Sequence, residues 1–289
     1  MEYIKLLRPT QWSKNLFVFL PLFFAQSITD LPRLCVCCAA FVAMCLASSS
    51  IYILNDIMDV EYDRCHPQKC HRPIASGRVS VGAGWIMYGI TMLSAVAIAW
   101  CIIANVEILI VIGIYLLLSH AYSLWLKHIS ILDVMIVASG FVLRIIAGAV
   151  AVDVQPSHWI IIMTFLLALF LVVAKRRDDV QNYEESKTTT RRNVKAYNKM
   201  FLDSTLVLVA AVTMVCYILY TVDDAIVQQF DCNYVYSTAI FVLAGILRYL
   251  QLTLVEEKSW SPTLIIARDL FMQCCIVGWL VLFGIIIYG

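Results

Sequence analysis

Apolar residues along this chain run in long, nearly unbroken blocks rather than in the amphipathic spacing of a soluble fold. Nine blocks stand out, over 15–29, 34–54, 83–104, 106–124, 132–152, 158–174, 205–222, 235–252 and 264–288. They have the length of roughly 17 to 25 residues that a helix needs to cross a bilayer. The pattern predicts an all-α integral membrane protein with nine transmembrane helices, forming one domain over residues 1–289. The first block follows Lys5, Arg8 and Lys14 and looks like the start of a signal peptide. It has no convincing cleavage site and eight more blocks follow it, so it is read as a retained span.

Composition strengthens this reading. Hydrophobic residues make up 62% of the chain, which excludes an ordinary soluble domain. Net charge is only +1, so bulk charge points to no partner and no nucleic acid is expected. The placement of charge is informative. The N-terminal segment and the loops after the second, fourth, sixth and eighth blocks hold 18 of the 21 Lys and Arg residues. The opposite loops hold Arg33, with Asp30, Glu107, Asp153, Asp223, Asp224 and Asp231. The positive-inside rule therefore predicts a multi-pass cell-membrane protein with a cytoplasmic N-terminus and an external C-terminus. Eleven cysteines are present, many inside apolar blocks, and they read as reduced, small hydrophobic filler. Cys65-His66 and Cys70-His71 match no usual zinc spacing. Lipid-facing Gly and Cys positions are compatible with a homo-oligomer, and nothing in the chain specifies one.

The most chemically dense stretch is Leu54–Gly77, at the end of the second block. Asn55, Asp56, Asp59 and Asp63 lie there, with the three aspartates at i, i+3 and i+7. On one helix that spacing lines up three carboxylates, which repel unless a cation sits among them. A hard divalent ion sharing its shell with phosphate satisfies that need, and Mg²⁺ commonly takes one or two carboxylates plus substrate oxygens. The bland alternative is a solvated helix end. It leaves the Arg72-Pro73-Ile74-Ala75-Ser76-Gly77 tail unexplained.

Three other stretches carry charge at membrane boundaries. Arg8-Pro9-Thr10-Gln11-Trp12-Ser13-Lys14-Asn15 reads either as an interfacial anchor or as a phosphate contact through Lys14. Tyr122-Ser123-Leu124-Trp125-Leu126-Lys127-His128 leads into Asp133, Gly140 and Arg144, which share a helix face. Arg144 then lies roughly 16 Å beyond Asp133 along the helix, and an arginine that deep marks a functional site or a buried ion pair. Ala174-Lys175-Arg176-Arg177-Asp178-Asp179 ends the sixth block, and the more distal Arg191, Arg192 and Lys195 read as a positive-inside loop.

These stretches resemble the UbiA superfamily of intramembrane prenyltransferases. NDxxDxxxD with its RPIASG tail is similar to the first Asp-rich motif of that superfamily. The resemblance implies a helical bundle around a cytosol-facing, lipid-open cavity that binds a diphosphate through Mg²⁺. Asp178 and Asp179 fall where the second Asp-rich motif is placed, without its DxxxD spacing. RPTQWSKN, YSLWLKHxxxLD, SGFVLRxIAG and AKRRDD narrow the resemblance to the decaprenyl-phosphate phosphoribosyltransferase branch. It runs from about residue 5 to 180, with Arg248-Tyr249 and Ser261-Pro262-Thr263 as its continuation.

That branch implies transfer of 5-phosphoribose from 5-phosphoribosyl 1-diphosphate (PRPP) to a polyprenyl phosphate. The implied metal ligands are Asn55, Asp56, Asp59, Asp63 and Asp179. Asp56, Asp59, Arg72 and Lys127 are the expected catalytic residues. Lys14, Tyr122, Asp133, Arg144, Lys175 and Arg176 are expected to bind substrate. The size of the basic set agrees, because PRPP and the lipid together carry three anionic groups where a prenyl diphosphate has one. The rival within the superfamily is prenyl transfer to an aromatic acceptor. A cation transporter is a rival from another class, but it predicts charges at the bilayer midplane, whereas these acids gather at one membrane face.

Overall fold

The computed structural model describes residues 2–65, 69–186, 196–256, 264–265 and 268–288. His66, Arg191, Arg192, Lys195 and Ser261–Thr263 lie outside the described residues. All regular structure among the described residues is helical. In chain order the α-helices are α1 (Glu2–Leu7), α2 (Leu20–Phe24), α3 (Leu31–Met58), α4 (Val60–Cys65), α5 (Val81–Ile98) and α6 (Val106–Leu124). They continue with α7 (Leu132–Ala151), α8 (His158–Ser186), α9 (Lys199–Thr221), α10 (Asp224–Phe230), α11 (Ala239–Leu254) and α12 (Leu270–Tyr288). Polar residues set many of the starts. Asp30, Ser80, Asn105 and Asn198 each accept a backbone N–H from the first turn of α3, α5, α6 and α9.

Eight helices among the described residues are long and apolar enough to cross a membrane. The protein is a multi-pass membrane protein. Only the first expected span differs. Residues Pro9–Phe19 form a 3₁₀ segment, followed by the five-residue α2. Pro21, inside the block, lacks the N–H that a continuous α-helix needs. Tight packing reinforces the break. A Cβ added at Gly148 on α7 would stand 1.9 Å from the Val18 carbonyl oxygen, so only glycine admits that backbone. Gly148→Ala should lower stability by roughly 1–3 kcal/mol. Thermal unfolding in detergent checks this; an unchanged midpoint contradicts the packing.

The chain forms two compact units, Met1–Leu126 with Gly140–Pro156, and Lys127–Ser139 with Ser157–Gly289. The first unit is centred on α3, whose small buried residues Ala40, Ala43 and Ala47 let neighbouring backbones approach. The second packs α8, α9 and α11 around Phe170, Leu202, Leu206 and Tyr249. Ile86, Leu93 and Leu117 stand outward, two-thirds or more exposed, as residues in contact with lipid tails do. All eleven cysteines are free.

Candidate active site

In the first unit the acidic stretch sits at the C-terminal end of α3. That is the unfavourable end for a carboxylate, because helix carbonyls already concentrate negative charge there. Cations answer it. Arg8 and Arg72 both donate to Oδ1 of Asp56, Arg72 Nη1 at 3.1 Å. The same Arg72 nitrogen donates to Asp63 Oδ2 at 2.6 Å. Both carboxylates are almost wholly buried. The uninterrupted helix expected through Asp63 is broken at Asp59, which caps α3, and α4 restarts at Val60. Asp56 and Asp63 nevertheless converge on one guanidinium.

The RPIASG tail supplies that guanidinium. Its turn closes through Ser76 N–H to Arg72 O at 2.9 Å and Val79 N–H to Pro73 O at 2.9 Å. Gly77 takes φ +76°, the left-handed region that glycine enters without a steric penalty. Asn55 and Asp59 are half-buried beside Asp56. Among the described residues no three Asp, Glu, His or Cys side chains gather into a protein-only metal cage. A carboxylate and amide donor set at a helix end nonetheless fits Mg²⁺, which ordinarily completes its shell with water and phosphate.

Deeper in the first unit lies Arg144, 6% exposed. Its Nε donates to Asn15 Oδ1 at 2.6 Å, Nη1 to Gly140 O at 2.6 Å and Nη2 to the Tyr115 hydroxyl at 3.0 Å. The guanidinium also lies 4.9 Å from the Tyr115 ring centroid and 5.3 Å from that of Phe141. Asn15 is itself fixed by donating to Ser48 Oγ at 3.2 Å. Every one of these partners is neutral, and among the described residues no carboxylate pairs with Arg144. A buried cation without a counter-charge is costly unless an anion visits it.

Lys14 belongs to the same basic group. Burial, then the charges of Arg144 and Arg8, push its amine down to about 8 from 10.5. An arriving anion would restore the charged form. Ribose 5-phosphate, already dianionic there with its second pKa at about 6, should therefore bind more weakly as pH rises through about 8, and above that value binding should take up a proton. Lys14→Arg should remove both effects, because arginine stays charged. Calorimetry in two buffers of different ionisation enthalpy reads the proton directly; buffer-independent heats above that pH contradict the assignment. Without an anion the unfolded chain holds this proton over the window from about 8 to 10.5 and the folded chain does not. Stability consequently rises with pH there.

The second unit holds a separate network. Asp133 is fully buried and accepts from Arg176 Nε at 2.6 Å, while Arg176 Nη1 reaches Asp179 at 2.8 Å. Asp133 also accepts from the Tyr197 hydroxyl at 2.7 Å, and that hydroxyl accepts the Ile131 N–H at 2.6 Å. Ile131 has φ +69°, an unusual conformation for a β-branched residue, so Tyr197 holds a strained turn just after Lys127. Burial pushes the Tyr197 phenol up to about 12, so it remains a donor. Arg177 pairs with Asp203 at 2.6 Å. Lys175 is exposed, and Lys127 and Tyr122 are half-buried.

The structure thus gathers Asp56, Asp63 and Arg72 in the first unit, and Asp133, Arg176 and Asp179 in the second. Lys14 and Arg144 share the first unit's basic group. Arg8, Asn15, Tyr115 and Tyr197 are partners that the sequence reading did not assign. Arg8 and Asn15 had a signal, since they bound the RPTQWSKN stretch on either side. Tyr115 and Tyr197 had none, because each meets its partner through tertiary contact.

Residues 15–275 match the UbiA prenyltransferase family. The chain belongs to that family. Among UbiA relatives, the decaprenyl-phosphate phosphoribosyltransferase of Mycolicibacterium smegmatis is 34% identical, covering 99% of this chain and 92% of that protein. The decaprenyl-phosphate phosphoribosyltransferase of Mycobacterium tuberculosis is 30% identical, covering 97% and 92%. The UbiA homologue of Archaeoglobus fulgidus, solved with DMAPP and Mg²⁺, matches with a TM-score of 0.72 over 100% of both chains at 17% identity. At that identity the likeness establishes the UbiA fold.

Proposed function

We propose that this UbiA-family protein transfers 5-phosphoribose from PRPP to a polyprenyl phosphate, with Mg²⁺, at the cytosolic face of the membrane. The observation that carries the reading is Arg144, a buried cation whose partners in the first unit are all neutral, with a lysine in the same basic group whose proton affinity burial and then the Arg144 charge lower. Two phosphate-bearing substrates supply the anions such a group lacks. The names of the relatives that match over nearly the whole chain support the same reaction. The cytosolic placement rests on the 18 of 21 Lys and Arg residues in alternate loops.

Asp56 and Asp59, with Asn55, would hold the metal, and Asp63 fixes Arg72 against Asp56. Magnesium, when bound, neutralises the leaving diphosphate. Arg72 adds charge where the departing oxygen becomes anionic. The C1–O bond to diphosphate breaks with its electron pair on the leaving group, and an oxygen of the lipid phosphate bonds to C1. A phosphate monoester is mostly dianionic near neutral pH, its second pKa being about 6, so no general base is required. Arg144 binds the lipid phosphate and Lys14 the 5-phosphate of PRPP. In the second unit Lys127 and Lys175 are the proposed phosphate-facing bases, and Tyr122, five residues before Lys127 at the close of α6 in the first unit, is the proposed hydroxyl contact. Asp179, Asp133 and Arg176 complete the proposed set as a mutually paired network. The product is a lipid-linked phosphopentose, suited to donating a pentose in envelope glycan synthesis.

Diphosphate release by purified protein tests this reaction class. Release should need PRPP, polyprenyl phosphate and Mg²⁺ together. Release from a prenyl diphosphate and an aromatic acid instead would favour the prenyltransferase reading, whose support is the ligand set of the solved UbiA homologues.

A further inference from the structure

Two guanidinium groups meet one carboxylate oxygen, Asp56 Oδ1, and they are not equally anchored. Arg72 has a second carboxylate, Asp63, at 2.6 Å. Arg8 has instead the Tyr52 ring, 5.1 Å from its guanidinium carbon. Its side chain is 25% exposed, against 2% for Asp56. Arg8 also stands at a bend. It takes φ +53° between the end of α1 and Pro9, a left-handed conformation that only a few per cent of non-glycine residues adopt.

We infer that Arg8 is a resident counter-cation on Asp56, which a divalent metal ion displaces. The inference rests on the metal reading proposed above. The physical reason is charge density. A carboxylate buried at a helix C-terminus needs a cation at all times, and Arg8 supplies one while no metal is bound. A divalent ion brought to the same carboxylate would stand within a few ångströms of both guanidinium groups, and the like charges repel. Arg72 is retained by Asp63. Arg8, held by one oxygen and a ring face, is the group that leaves. Burial, then the charge of Arg144 and last that of Arg8, lower the Lys14 amine's affinity for a proton, so Arg8 already lies within electrostatic reach of that lysine. The freed guanidinium therefore joins Lys14 in facing the anion that accompanies the metal. Metal binding and assembly of the phosphate site become one event.

The test is Mn²⁺ binding to the purified full-length protein, followed by electron paramagnetic resonance in detergent with no substrate present. A competitor seated on Asp56 about nine-tenths of the time weakens apparent metal affinity about tenfold. Arg8→Ala should bind Mn²⁺ about tenfold more tightly than the unmodified protein, and Asp59→Asn more weakly. Equal or weaker binding by Arg8→Ala overturns the inference while leaving the metal site in place. Absence of saturable binding in the unmodified protein, or equal binding by Asp59→Asn, overturns the metal reading and this inference with it. A second measurement needs no variant. Phenylglyoxal labelling of Arg8, read by peptide mass spectrometry, should rise several-fold when Mg²⁺ is added. Labelling that stays level or falls overturns the displacement.

Discussion

Asp59→Ala should abolish transfer, by on the order of 10³-fold or more, and leave the protein folded. Three features set that expectation. Asp59 caps α3 one turn after Asn55 and three residues beyond Asp56, so it belongs to the proposed metal-binding end of the helix. It is half-buried, unlike Asp56, which is enclosed with two guanidinium groups on one oxygen. Removing Asp56 would leave two cations at a buried site without their shared carboxylate, and loss of activity would be confounded with loss of stability. Asp59 gives the cleaner experiment. Single-turnover measurements with saturating PRPP and lipid, beside circular dichroism and thermal unfolding, separate the two effects. Wild-type turnover by the variant contradicts the metal assignment. A collapse in stability equal to the collapse in activity contradicts the claim that Asp59 acts in chemistry rather than in folding.

The second large effect belongs to Arg144. Its deletion removes charge-assisted hydrogen bonds of about 1.5–3 kcal/mol each, so Arg144→Ala should raise the KM for polyprenyl phosphate by roughly 10- to 100-fold. The KM for PRPP should move much less. Arg144→Lys should recover little, because the Asn15 carbonyl and the Tyr115 hydroxyl are met by a planar fork that an ammonium does not reproduce. Steady-state kinetics with each substrate varied in turn reads the split. A larger change for PRPP than for the lipid reverses the assignment.

Local patterns made much of this legible before any coordinates. Asp56, Asp59 and Asp63 declare themselves by spacing, and the RPIASG tail by its arginine, proline and glycine. Arg144 declares itself by depth, since an arginine so far into an apolar block needs a reason. Long-range pairings were hidden. Nothing near Arg144 in sequence points to Asn15 or Tyr115, which approach it from the N-terminal segment and α6. Asp133 and Arg176 each read as a substrate ligand, and only the fold shows that they pair with each other at 2.6 Å. The helix type of the first apolar block was hidden for a related reason. Hydropathy counts oil and not backbone donors, so it marks 15–29 as one span without showing that Pro21 and the Val18–Gly148 approach divide it into a 3₁₀ segment and the short α2. The break after Met58 is likewise invisible to spacing alone. Arg72 can reach both Asp56 and Asp63 because its own turn brings it there.

The central claim is that PRPP, not a prenyl diphosphate, is the donor at the Asp56–Asp59 site. The direct measurement supplies PRPP labelled in the ribose or in the β-phosphate to purified protein with polyprenyl phosphate and Mg²⁺. Ribose label should pass into the lipid-extractable fraction, and β-phosphate label should remain in water as diphosphate. Both signals should vanish with a metal chelator and in Asp59→Ala. No ribose label in lipid, with transfer instead from a labelled prenyl diphosphate to an aromatic acceptor, would contradict the account.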